Sequence, residues 1–146
     1  MDVLTVSKDR YSELIDVWEA SVRATHHFLP EHYINELKPL ILHRYFDAVE
    51  LCYVSVAGEA VGFIGVADGT IEMLFVRPDY FGKGVGTTLA KYAIEYFGAT
   101  KVDVNEQNPD AIAFYTRMGF SLVGRSALDG QGNPFPLVHM VRDAKP

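Results

Sequence analysis

The stretch Leu74-Phe75-Val76-Arg77-Pro78-Asp79-Tyr80-Phe81-Gly82-Lys83-Gly84-Val85-Gly86-Thr87-Thr88-Leu89 decides the reading of this chain. An apolar, strand-like run meets a Pro-Asp turn. Glycine then stands at every second position, and an amphipathic helix follows at once. Glycines let main-chain N–H groups crowd round a bulky anion without Cβ clashes. A helix N-terminus adds unpaired donors and partial positive charge. The loop therefore reads as a phosphate cradle, although Gly-rich turns also join strands to helices with no ligand. A Walker A loop is excluded, because GxxxxGK[ST] occurs nowhere. A dinucleotide fingerprint needs GxGxxG and an acid about 20 residues on. Here Gly86 comes one place early, and Asp103 stands near the acid position. Only 43 residues follow Asp103, too few for the rest of a doubly wound domain.

Around the loop, periodicity sets the remaining elements. Val3 to Val6 reads as a strand. Lys8 to about Thr25 reads as a helix with Leu14, Val17, Trp18 and Val22 on one face, and Ser7 is its expected N-cap. Pro30 suits the first turn of a second helix carrying Tyr33, Ile34, Leu37, Leu40 and Ile41, which Pro39 should kink or divide. Leu51 to Val56, Ala60 to Val66 and Ile71 to Val76 read as an antiparallel meander, with turns at Ala57-Gly58-Glu59 and Asp68-Gly69. Gly84 to Phe97 is a third helix, ended by Gly98. Lys101 to Val104 is a short strand, and a parallel crossover from residue 71 to 104 follows. Asn108 caps a last helix through Met118. Phe120 to Ser126 and Pro136 to Val141 close the chain as a hairpin. The fold class is mixed α/β. About seven strands form one mostly antiparallel sheet with four helices, as a single domain over residues 1–146.

Composition narrows the function. Hydrophobic residues make up 49% of the chain, yet no run approaches the roughly 20 apolar residues of a membrane span. The N-terminus has neither a basic region nor a long apolar run, which argues against a signal peptide. Cys52 is the single cysteine, read as core filler in a reduced, cytoplasmic setting. Net charge is −6, which disfavours nucleic acid and suits a cationic amine. The five histidines show no metal spacing, so no metal is expected.

A second segment is as informative as the loop: Asn105-Glu106-Gln107-Asn108-Pro109-Asp110-Ala111-Ile112-Ala113-Phe114-Tyr115-Thr116-Arg117-Met118-Gly119-Phe120. It resembles N-x-x-A-x-x-F/Y-Y-x-x-x-G-F of the GNAT N-acetyltransferase superfamily. The glycine loop resembles that family's Arg/Gln-Gly-x-Gly-x-Gly/Ala coenzyme A loop, with Phe81 where Arg or Gln is usual. Three further stretches, Ser21 to Leu29, Val104 to Asn108, and Gly124-Arg125-Ser126 with Pro134 to Leu137, resemble a small bacterial member.

The resemblance implies a GNAT-like fold and acetyl-CoA as co-substrate. Phe81, Gly82, Lys83, Gly84, Val85, Gly86 and Thr87 would hold the pyrophosphate, and Asn108 the pantetheine arm. Leu74, Phe75 and Val76 would supply a main-chain donor to the thioester oxygen. Tyr115 would protonate the departing thiolate; a phenol's reference pKa near 10 lies above a thiol's, near 8.5. A lysine-like amine, mostly charged at pH 7, needs a base. Glu72 leads if strand alternation puts it with Leu74 and Val76 facing the cleft, and it reads equally well as a solvated strand residue. His26 and His27, in the loop between the first two helices, are the alternatives. Partners would be a small-molecule or peptide amine, with the chain a monomer or homodimer. Two rival readings stay open: a non-catalytic acyl-CoA-binding module on the same fold, and a nicotinamide-binding fragment.

Overall fold

The computed structural model describes residues 1–143. Its strands are β1 (Val3–Thr5), β2 (Glu50–Val56), β3 (Glu59–Ala67), β4 (Thr70–Val76), β5 (Lys101–Asn105), β6 (Ser121–Ser126) and β7 (Leu137–Val141). The helices are α1 (Tyr11–Thr25), α2 (Glu31–Leu40), α3 (Val85–Tyr96) and α4 (Pro109–Arg117). One seven-stranded sheet runs β1-β2-β3-β4-β5-β7-β6. Every neighbouring pair is antiparallel except β4–β5, the expected parallel crossover at the glycine loop. Ala57-Gly58 and Asp68-Gly69 both take positive φ at each residue, the twisted geometry that tight hairpins need.

Two cores lie on opposite faces of the sheet. On one, α3 and α4 cover Val54, Ile64, Val102, Val104, Val138 and Met140. On the other, α1 and α2 cover Tyr53, Phe63 and Met73 from β2, β3 and β4, with Leu14, Trp18 and Val22 buried as their spacing requires. Cys52 is 1% exposed in the first core, and burial pushes its thiol pKa up.

Local details depart from expectation in instructive ways. Lys8–Arg10 forms a separate 3-10 turn, and the Ser7 hydroxyl bonds the Asp9 carboxylate instead of capping main-chain N–H groups. Pro30 is the residue before α2, with ψ 155°, and not within its first turn. Pro39 lies inside α2, and the chain then widens into a π turn over Ile41–Tyr45. That widening is the relief available where proline cannot donate within the helix ladder.

Two irregularities position the site. First, β4 and β5 pair only at Thr70–Lys101 and Ile71–Val102. Beyond those pairs the strands part, and a gap opens beside Leu74–Val76. Second, β4 carries a bulge: Gly65 faces Met73 while Val66 faces Ile71, so Glu72 has no partner on β3. An extra residue re-phases the strand. Ile71 and Leu74 therefore share the α3 side, while Met73 and Phe75 share the α1 side.

Candidate active site

Six consecutive main-chain donors define the cradle. Phe81 N–H bonds the Pro78 carbonyl at 3.2 Å, and Thr88 N–H bonds the Gly84 carbonyl at 3.0 Å. Between them, the N–H groups of Gly82 through Thr87 find no acceptor among the described residues. Gly82 (φ 74°) and Gly84 (φ 85°) turn them inward through left-handed backbone that a side chain strains. Gly84 is also the N-cap of α3, whose dipole adds attraction for an anion. Phe81 N–H is already committed, so the free donors begin at Gly82, and the Phe81 side chain brings no donor where the family usually has Arg or Gln. Close seating of α3 needs Gly62 on β3: a Cβ there would lie 2.7 Å from Val85 Cγ1.

The gap between β4 and β5 supplies the next donors. Arg77 N–H bonds the Val61 carbonyl at 2.8 Å. Alternation then turns the N–H groups of Leu74 and Val76 away from β3, into the gap. The cradle and the gap form one cleft of about 420 Å³. Its far wall is α4, where Asn108 and Tyr115 both line it. Asn108 Oδ1 accepts from Ala111 N–H at 3.2 Å as helix cap, which leaves its amide NH₂ free to donate. Tyr115 is 6% exposed, packed against Phe114 and Phe120, and burial raises its pKa well above the usual phenol value.

His26 closes the cleft from the α1 side. It sits at the C-terminus of α1, against Phe28 and Phe75. The Thr25 hydroxyl donates to the Ser21 carbonyl at 2.8 Å, so it accepts from His26 Nδ1, 2.7 Å away. That assignment leaves Nε2 unprotonated and available as a base. Burial, then the neighbouring His27, brings the His26 pKa down to about 4.

Three expected residues lie elsewhere. The bulge takes Glu72 off the face of Leu74 and Val76; its side chain is exposed and lines a separate hollow with Tyr45, Val49 and Met73. Burial and Asp103 raise its pKa. His27 is exposed and outside the cleft lining. Lys83 rests its ammonium 5.1 Å from the centre of the Tyr80 ring, so only its main chain serves the cradle. The sequence reading also missed Asp110 and Arg117, which line the cleft from α4. Their spacing of seven, two helical turns, was the available signal. Phe28 and Tyr33 pack on Phe135, Tyr33 donates to Asp129 at 2.5 Å, and Gln131 donates to Tyr45 at 2.9 Å, all outside the cleft lining. Among the described residues, no three His, Cys, Asp or Glu side chains converge as metal ligands.

The chain and its fold are similar to those of known proteins. A profile of the acetyltransferase (GNAT) family matches residues 12–120. The peptidyl-lysine N-acetyltransferase YjaB of Salmonella typhimurium is 35% identical over 142 residues, covering 95% of this chain and 98% of that protein. The peptidyl-lysine N-acetyltransferase YiaC of Escherichia coli is 25% identical, covering 75% and 76%. The solution structure of apo YjaB from Escherichia coli superposes with a TM-score of 0.84 at 33% identity, over 96% of this chain and 95% of that one. The PaiA N-acetyltransferase of Thermoplasma acidophilum, solved with coenzyme A, shares the fold at 19% identity and a TM-score of 0.74, over 97% and 98%. The chain belongs to the acetyltransferase (GNAT) family, as an N-acetyltransferase that takes its acetyl group from acetyl-CoA.

Gly84→Val is expected to weaken acetyl-CoA binding by at least tenfold, about 1.4 kcal/mol. A Cβ at Gly84 meets only the flexible end of Met1, at 3.5 Å, so the fold survives. The cost falls on the positive φ that aims the donors. Isothermal calorimetry checks this, and unchanged affinity would remove the cradle from the account.

Glu72→Gln is expected to leave turnover within about threefold and to stabilise the fold slightly at pH 7. Because folding raises this carboxyl's pKa, its ionised form is disfavoured in the native state. Removing that charge gains at most about 0.5 kcal/mol, as for other exposed positions. The gain should shrink as pH falls and the native carboxyl takes up its proton. Thermal melts at pH 7 and pH 4 with parallel rate assays check both halves.

Proposed function

We propose that this enzyme acetylates lysine side chains of peptides or proteins, by direct attack of the ε-amine on acetyl-CoA held in the cleft. The observation that carries the reading is the run of six N–H groups from Gly82 to Thr87 that have no acceptor among the described residues, continuous with a gap walled by Asn108 and Tyr115. The peptidyl-lysine N-acetyltransferase activity of YjaB and YiaC supports the choice of acceptor.

In this mechanism the cradle holds the pyrophosphate and the Asn108 amide donates to the pantetheine arm. Leu74 N–H, turned into the gap, stabilises charge that develops on the thioester oxygen. His26 Nε2 takes a proton from the acceptor ammonium, directly or through a water. The freed amine attacks the carbonyl carbon, the C–S bond breaks, and Tyr115 O–H protonates the thiolate; the new amide nitrogen gives up its remaining extra proton through water, which returns a proton to the Tyr115 oxygen. A neutral imidazole held at the cleft wall suits the first step. A phenol kept protonated by burial suits the last.

A thiol-release assay with acetyl-CoA against lysine peptides, free amino acids, polyamines and aminoglycosides tests the acceptor class. Lysine peptides should give the highest kcat/KM. A clear preference for polyamines or aminoglycosides would replace the acceptor. Acetyl-CoA binding with no release for any amine would favour a binding module.

A further inference from the structure

We propose that Ser126, His139 and Asp103 form a second acyl-transfer site that hydrolyses activated acyl esters, separate from the coenzyme A cleft. The three residues come from β6, β7 and β5, and strand register brings them together. Asp103 lies directly opposite His139 on β7, and Gly124, two residues before Ser126, pairs with His139 from the other side. His139 Nδ1 lies 2.6 Å from Asp103 Oδ1, and Ser126 Oγ lies 2.6 Å from His139 Nε2. A carboxylate only accepts, so Nδ1 carries the proton of the neutral ring. Nε2 is then bare and accepts from the Ser126 hydroxyl. This is the order of nucleophile, base and orienting carboxylate that activates serine in hydrolases of unrelated fold.

The surroundings suit an accessible nucleophile. Val102, Val104, Val138 and Met140 point into the core under α3 and α4. Alternation sends Asp103 and His139 to the opposite face. Asp103 is exposed, and His139 and Ser126 are half-exposed, open to a small ester. None of the three lines the cleft. With β5, β7 and β6 in that order, Ser126 lies three strands from β4, about 14 Å across the sheet. β6 is the last strand, so alternate N–H groups along it face outward, without a strand partner among the described residues and available to an oxyanion.

The steps balance without any further reagent. Ser126 Oγ passes its proton to His139 Nε2 and bonds to the acyl carbon. The tetrahedral anion collapses, breaking the bond to the leaving alkoxide, which takes the proton from Nε2. Water then gives a proton to Nε2 while its oxygen adds to the acyl-serine carbon. Collapse releases the carboxylic acid and returns the proton to Ser126.

The test uses p-nitrophenyl acetate hydrolysis and a fluorophosphonate probe on the intact protein, with Ser126→Ala and His139→Gln beside the wild type. The wild type should hydrolyse the ester at least tenfold faster than either variant. The probe should add once, at Ser126 by peptide mapping. Ser126→Ala should keep its rate of acetyl transfer from acetyl-CoA, which also shows that the fold is intact. Equal hydrolysis by wild type and Ser126→Ala, or labelling absent or at another residue, overturns the proposal. Loss of acetyl transfer in folded Ser126→Ala overturns the separateness of the two sites.

Discussion

His26→Gln is expected to lower turnover about 100-fold, within the range for removing a positioned base, with little change in acetyl-CoA affinity. Glutamine keeps a polar side chain of similar reach but takes no proton near neutral pH. The effect follows from the hydrogen-bond chain Ser21–Thr25–His26, which fixes the proton on Nδ1 and leaves Nε2 free. A pKa near 4 makes the imidazole a weak base, yet one that is unprotonated throughout the neutral range. The pH–rate profile above pH 5 should therefore report the acceptor amine, rising as that amine loses its proton. The same burial has a consequence for stability. An unfolded histidine takes up a proton near 6.5, while the folded one stays neutral down to about 4. The stability tied to this group is complete above pH 6.5 and is lost as pH falls towards 4. His26→Gln should flatten that part of the acid-unfolding curve. Full activity in His26→Gln, with activity lost instead in Glu72→Gln, would move the base to β4.

Tyr115→Phe is expected to lower turnover tenfold or more under conditions where chemistry limits the rate, within the range for losing one acid. Phenylalanine keeps the ring contacts with Phe114 and Phe120, and the lost hydroxyl has no hydrogen-bond partner among the described residues. Stability should therefore change by less than about 1 kcal/mol. Wild-type turnover in single-turnover experiments would defeat the assignment. A large fall in melting temperature would make Tyr115 a packing residue instead.

Alternation, paired turn residues and glycine spacing are properties of short windows, and they place β2 through α3 to within a residue or two. The cradle was legible for the same reason: alternate glycines before an amphipathic run have few other uses. The bulge at Glu72 was not, because one unpaired residue on β4 leaves no local signature and is set by packing of Ile71 and Met73 on opposite faces. It reverses the facing that alternation alone assigns to Glu72. The choice of His26 over His27 was also hidden, since it depends on which imidazole the end of α1 folds inward. Asp103 and His139 meet only through the β5–β7 register, 36 residues apart in the chain. Tyr115 and Asn108, by contrast, share one helix, so their spacing of seven gave their common wall directly.

The central claim is that the cleft at Gly82–Thr87 transfers acetyl from acetyl-CoA to a lysine amine. Its most direct test is the protein incubated with acetyl-CoA and a lysine peptide, following thiol release and peptide mass together. The account predicts one acetyl group on the ε-amine for each thiol released, with both lost together in Gly84→Val at limiting acetyl-CoA. Bound acetyl-CoA with an unmodified peptide and no thiol release above the uncatalysed rate would contradict it.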